Sequence, residues 1–156
     1  MEKSIRDKYT AVIGLEVHAQ LLTQSKIYNS DSTAYGSSPN TNLSVITLAH
    51  PGTLPKLNKK VIEYAIKMGL ACNSAISRFN IFDRKNYFYP DLPKGYQLTQ
   101  DRTPICIGGY ITINIKGVER NIELHRIHVE EDAGKSIHLT TEVDTLVDFN
   151  RSGVPL

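Results

Sequence analysis

Apolar and polar positions alternate from Tyr9 to Leu21: Tyr9, Ala11, Ile13, Leu15, Val17, Ala19 and Leu21 fall on one face, with Thr10, Val12, Gly14, Glu16, His18 and Gln20 on the other. This period predicts a strand over 9–21, with Glu16 and His18 side by side. The following stretch, SKIYNSDSTAYGSSPNTNLS, has no period and reads as a long loop. After the PGTLP turn, Asn58 is placed to cap a helix running to about Cys72, where Val61, Ala65 and Met68 form an apolar stripe with Ile62 and Ile66. That stripe predicts core packing.

Farther along, AISRFNIF reads as a strand entering a loop, FDRKNYFYPDLPKGYQ, and YQLTQ as an extended exit from it. Pro90 and Pro93 exclude a continuous helix or a central strand there. Residues 105–129 read as a hairpin turning at Lys116-Gly117, with Ile111, Ile113 and Ile115 on one face. The parity of the return changes between Leu124 and Ile127, which predicts a bulge near His125-Arg126. SIHLTT and DTLVDFN add two short strands. The expected fold class is therefore α+β, a mainly antiparallel sheet with one clear helix.

Composition narrows the class. The chain has 156 residues, 40% of them hydrophobic and 22% charged, enough for one ordinary globular core. A net charge of +2 does not by itself point to nucleic acid. MEKSIRDKYT mixes acids and bases without an apolar run behind it, so neither a secretory leader nor a membrane span is expected, and a cytoplasmic location is. Cys72 and Cys106 read as buried free thiols, with no metal-ligand spacing.

Three clusters carry candidate chemistry. Glu16 and His18 suit two ligands of one metal or an acid–base pair, although two solvated polar residues would look the same. In RIHVEEDAGK, Arg126, His128 and Glu130 share a face, and Glu131 and Asp132 follow; neighbouring carboxylates favour water or a hard cation such as Mg²⁺. The third is the Pro-stiffened loop, whose Arg84, Lys85 and Lys94 suit an anionic ligand, or else pair internally with Asp83 and Asp91. AGKS is not a phosphate-binding loop, because Val129 stands where the upstream glycine is required. His50, His125 and His138 read as structural or surface residues, and no serine shows evident His–Asp partners.

The strings IGLEVHAQL, SKIY, PNTN, PGTLPKLN, FDRKNYFYPDLPKGYQ, RIHVEEDAGK and VDFNRSGVPL, in this order, resemble the B-subunit family of bacterial aspartyl/glutamyl-tRNA amidotransferases from about Tyr9 to Leu156. The resemblance implies a glutamine-synthetase-like cradle domain spanning 1–156, and an ATP-dependent reaction. The side-chain carboxylate of Glu-tRNA(Gln) or Asp-tRNA(Asn) is activated as an acyl phosphate, and ammonia from an A subunit displaces the phosphate. A C subunit clasps the other two.

Position by position, the resemblance implies Mg²⁺ ligands at Glu16, His18 and a glutamate of the EED run. The family pattern favours Glu131, whereas face counting favours Glu130. Lys85 and Lys94 would lie along the ammonia path or near the phosphates, with Arg84, Asn150 and Arg151 close to the same cavity. Relatives with a cysteine zinc site would place its ligands at Asn29, Asp31, Ser44 and Thr47, so no structural zinc is expected. The last motif breaks off at SGVPL, which implies a piece of a longer protein, without the helical and tail domains that bind most of the tRNA and inactive alone. A non-catalytic docking component of the same complex is the alternative; the joint presence of Glu16, His18, Lys85 and Glu131 speaks against it.

Overall fold

The computed structural model describes residues 8–139 and 143–156. Its one helix among these, α1 (Lys59–Ala71), begins where Asn58 accepts from the Lys60 amide through its side chain, the expected cap. Val61, Ala65 and Gly69 are its buried positions, and Ile62 and Ile66 pack beside them. Met68 departs from the predicted stripe: it lies at the stripe's edge and is 46% exposed. Gly69 permits a close approach, since an added Cβ would meet Cys106 Sγ and lie 2.7 Å from Ile76 Cδ1.

Among the described residues, nine short strands follow the helix. β1 (Ala75–Ile76), β4 (Cys106–Ile107) and β7 (Arg126–Ile127) form a three-stranded antiparallel sheet in the order β1-β4-β7, against which α1 packs. Ile27, Tyr28, Val61, Ala65, Ile105, Cys106 and Val129 make the core between them. Cys72 and Cys106 are both buried and free, as expected. The α+β class is as read from the sequence.

The remaining strands pair two by two. β2 (Asp83–Asn86) pairs with β3 (Tyr96–Thr99), β5 (Tyr110–Ile115) with β6 (Val118–Glu123), and β8 (Lys135–His138) with β9 (Thr145–Asp148), all antiparallel. Thr140 and Thr141 of the SIHLTT strand lie outside the described residues. The β5–β6 turn takes positive φ at Lys116 (52°) and Gly117 (84°), the two-residue geometry that matches strand twist. The parity change after Leu124 is not a bulge. β6 ends at Glu123, and the chain changes sheets before β7, while Gly108 and Gly109, both at positive φ, do the same on the other side.

Two expectations are corrected. AISRFNIF contributes only Ala75–Ile76 as strand, and the first residues of the supposed loop form β2. The loop is thus a hairpin whose tip is 87–95. Residues 9–21 carry no regular strand, and Val12, Ile13, Leu15 and Val17 are more than 80% exposed. The alternation is real, but apart from the Leu21 amide, which donates to Pro155 O at 2.9 Å, its backbone groups find no neighbouring strand among the described residues, and an unpaired strand has little to hold it.

Candidate functional site

The last residues of the chain organise the site. Glu130 and Leu156 exchange both backbone hydrogen bonds (3.2 and 2.9 Å), and the Asp132 amide donates to Val154 O and the Gly153 amide to Asp132 O, both 2.8 Å. This antiparallel pairing keeps residues 130–132 extended, so successive side chains point to opposite sides. Glu130 and Glu131 are both buried, at 9% and 3% exposure, and serve different neighbours.

Glu130 faces residues 16 and 18. His18 Nε2 lies 3.4 Å from a Glu16 oxygen and 3.7 Å from Glu130 Oε1, and His128 Nε2 lies 3.5 Å from Glu130 Oε2. Thr99 Oγ1 donates to Glu130 at 3.2 Å. His128, foremost, holds the Glu130 carboxyl below its ordinary range, with help from Thr99 and His18, against the opposing effect of burial. Ligand atoms of Glu16, His18 and Glu130 all lie within 4.8 Å of one another. Adjacent ligands around Mg²⁺ sit roughly 3 Å apart when bonds are about 2.1 Å, so small rotations of the exposed Glu16 and His18 would close the set. Two carboxylates and an imidazole, open to water, fit a hard divalent cation.

Glu131 turns the other way. Lys94 Nζ pairs with its carboxylate, and the Leu98 amide donates to Oε1 at 2.8 Å. Gln97 Nε2 donates to the Glu131 carbonyl at 2.6 Å. The preference for Glu131 beside Glu16 and His18 therefore does not match this geometry; Glu130 is the carboxylate brought to them, because the chain stays extended through both residues.

The loop cations separate. The Lys94 ammonium, with its side chain only 14% exposed, is enclosed by Glu131 and by the rings of Tyr28 and Tyr96, 5.9 and 5.5 Å away. Arg84 lies over the same Tyr96 ring, its guanidinium carbon 5.3 Å from the ring centre. Lys85, opposite Gln97 in the β2–β3 register, is exposed, with its ammonium 5.7 Å from the Tyr87 ring. Asn150 and Arg151 are engaged internally. Asn150 receives the Asn42 amide (2.8 Å) and donates to Ser38 O (2.7 Å), while Arg151 donates to Ala133 O (3.0 Å) and Gly134 O (2.6 Å). The loop aromatics divide as well. Phe82 packs edge-on against Tyr28, but Phe88 and Tyr89 stay exposed and line an open cleft of about 510 Å³ with Pro90, Leu92, Pro93 and Lys94.

Several contributors are not evident as site residues in the sequence. Gln97 and Thr99 are buried polar residues at alternate positions of β3, and that alternation was the available signal. Tyr28 is buried with its hydroxyl unpartnered among the described residues, and burial foremost, with Glu131 nearby, pushes it well above the ordinary phenol range. Asn29, Asp31, Ser44 and Thr47 converge. Asp31 Oδ2 accepts from the Ser44 amide (2.8 Å), Ser44 Oγ (2.9 Å) and Thr47 Oγ1 (2.5 Å), and Asn29 Nδ2 donates to Thr47 Oγ1 (2.9 Å). This network ties the two ends of the long loop together.

Residues 11–156 match the sequence model of the GatB/GatE catalytic domain. The chain belongs to this family. It is 58% identical over 149 residues to the B subunit of the aspartyl/glutamyl-tRNA(Asn/Gln) amidotransferase of Caldanaerobacter subterraneus subsp. tengcongensis, covering 96% of this chain and 31% of that protein. Proteins of the same description from Thermoanaerobacter pseudethanolicus and Thiobacillus denitrificans are each 57% identical over the same share of both chains. The chain thus spans about a third of the length of these GatB relatives.

Proposed function

We propose that this GatB-family chain supplies part of the site at which a tRNA-borne glutamate or aspartate side chain is converted to its amide, with ATP as the activating reagent and ammonia as the nucleophile. The observation that carries the reading is the convergence of Glu16, His18 and Glu130. In the reaction, a side-chain carboxylate oxygen attacks the γ-phosphorus of ATP, the bond from that phosphorus to the β-phosphate oxygen breaks, and ADP leaves as the acyl phosphate forms. Ammonia then forms the C–N bond as the C–O bond to phosphate breaks, releasing inorganic phosphate and a proton. Bringing anions together needs fixed positive charge, and a bound Mg²⁺ would offset the phosphate charge.

Around that centre the chain's own residues have distinct tasks. Glu16, His18 and Glu130 would hold the metal, with His128 and Thr99 fixing the Glu130 carboxylate. Lys85 is an exposed cation able to meet a phosphate or acyl oxygen, and Arg84, also exposed, stands on the neighbouring strand position. The enclosed Lys94–Glu131 pair suits the passage of a small neutral amine better than contact with phosphate, since its charge is already matched. Asn150 and Arg151 would shape the ATP side of the site by ordering residues 148–153. The glutaminase A subunit, the C subunit and the cradle organisation over 1–156 belong to the same proposal, as does a cytoplasmic location.

A Mn²⁺ titration followed by paramagnetic line broadening tests the carrying observation. Broadening centred on residues 16, 18 and 130, lost in Glu16→Gln and Glu130→Gln, is the expected result. Broadening that survives both substitutions, or that centres elsewhere, would sink the reading.

A further inference from the structure

Charge in this chain is not evenly spread. Residues 56–67 hold four lysines (Lys56, Lys59, Lys60 and Lys67) against one acid, Glu63, a net +3, whereas the whole chain carries +2. The remainder is therefore slightly acidic. Helical spacing gathers the part of this charge that lies on α1, three lysines and Glu63, a net +2. At about 100° per residue, Lys59, Glu63, Lys67 and Lys60 fall within one outward arc, while Val61, Ala65 and Gly69 occupy the opposite, buried side. Lys59, Lys60 and Lys67 are all exposed.

The arc is also ordered. Tyr64 lies between Lys60 and Lys67, whose ammonium nitrogens are 5.2 and 5.8 Å from its ring centre, so two of the cations rest against a half-buried aromatic. Lys60 is paired with Glu63 at 2.9 Å; among the described residues Lys59 and Lys67 have no such partner. From Lys59 to Lys67 the helix rises about 12 Å, roughly the axial span of three to four phosphates along one strand of a duplex.

We propose that the outer face of α1 is a docking surface for the sugar–phosphate backbone of RNA, which Lys59, Lys60 and Lys67 contact without reading its sequence. The inference rests on the amidotransferase reading, which supplies an RNA-borne substrate, and adds a surface apart from the Glu16–His18–Glu130 cluster. A membrane surface fits less well, because the apolar side of this amphipathic helix is already spent on the core and offers no wedge for lipid. Phosphate recognition requires charge and reach, which lysine supplies, rather than a groove.

The test uses the full-length protein in its native complex and a tRNA(Gln) transcript as probe. Affinity is measured from low to moderate salt for the natural protein, for Lys59→Gln/Lys60→Gln/Lys67→Gln, and for the corresponding triple arginine variant. If the face meets phosphates, the slope of log affinity against log salt becomes shallower by up to about 2.7, at about 0.9 per lost contact on a duplex. The glutamine variant then binds tRNA more than tenfold less tightly near 0.1 M salt, and the arginine variant keeps the natural slope. Amide formation at saturating tRNA stays within about twofold. An unchanged slope and affinity in the glutamine variant overturns the docking surface, while intact amide formation in the natural protein leaves the amidotransferase reading standing. Loss of assembly with the other chains of the complex, with tRNA affinity preserved, would instead assign the face to an acidic protein, and overturns the proposal equally.

Discussion

Lys26 is completely buried, yet among the described residues its ammonium makes a single long hydrogen bond, 3.5 Å, to the Phe149 carbonyl, and its stem packs against Gly153. Burial, the largest influence, lowers its pKa from 10.5 to about 8; Asp31, Asp148 and Glu131 oppose the drop, and Lys94 adds to it. At about 1.4 kcal/mol per pH unit, this is a penalty of about 3 kcal/mol for keeping the charge in the folded state. The sign follows from proton counts. Below pH 8 both states hold the proton and the full penalty applies. Between about 8 and 10.5 the unfolded chain binds more protons than the folded one, so stability rises with pH; above 10.5 the penalty is gone. Lys26→Met, of similar length and apolar, should therefore be more stable than the natural chain by up to about 3 kcal/mol at pH 7. The advantage should shrink to near zero by pH 10.5. Urea denaturation of both chains at matched pH values measures the difference, in which the titration of groups not coupled to Lys26 cancels. A destabilised Lys26→Met at pH 7, or a difference that does not change with pH, would refute the reasoning.

Two other substitutions test packing and polar satisfaction. Asp31→Ala removes the acceptor shared by the Ser44 amide, Ser44 Oγ and Thr47 Oγ1; it should cost about 3 kcal/mol in denaturant unfolding, and Asp31→Asn about half of that. Equal stability of the alanine variant would mean that the loop is held by something else. Gly69→Ala sets the helix gain of alanine, about 1 kcal/mol, against a Cβ driven into Cys106 and Ile76; a net loss of about 1–2 kcal/mol is expected, and a gain would show that the α1–β4 contact can open freely.

What the sequence revealed was local. The Asn58 cap, the apolar face of α1 and the Lys116-Gly117 hairpin are decided by residues within a few positions of each other, and these read directly. The β2–β3 hairpin was hidden because Asp83, Arg84, Lys85 and Asn86 have no apolar alternation: only Asp83 of the four is not exposed. The segment 9–21 shows the reverse. Its period is strong, but a strand also needs a neighbour, and no property of its own residues tells where one is. For the site, Glu16 and His18 could be paired from their spacing, and the face count reached Glu130. The separate role of Glu131 depends on Lys94, thirty-seven positions away, and on the amide of Leu98. Only the folded chain brings those together.

The extended course of residues 130–132 has a further consequence. One peptide unit divides an open, water-facing cluster from a sealed ion pair, and alternation alone assigns the two carboxylates to their compartments. The arrangement is a parity device. A single residue inserted between Val129 and Glu130, and taking the place of Glu130 opposite Leu156, would move each glutamate to the other side of the extended segment and strand both at once. A two-residue insertion would restore the sides. Length here is thus constrained modulo two, a kind of constraint that side-chain chemistry at either position does not express.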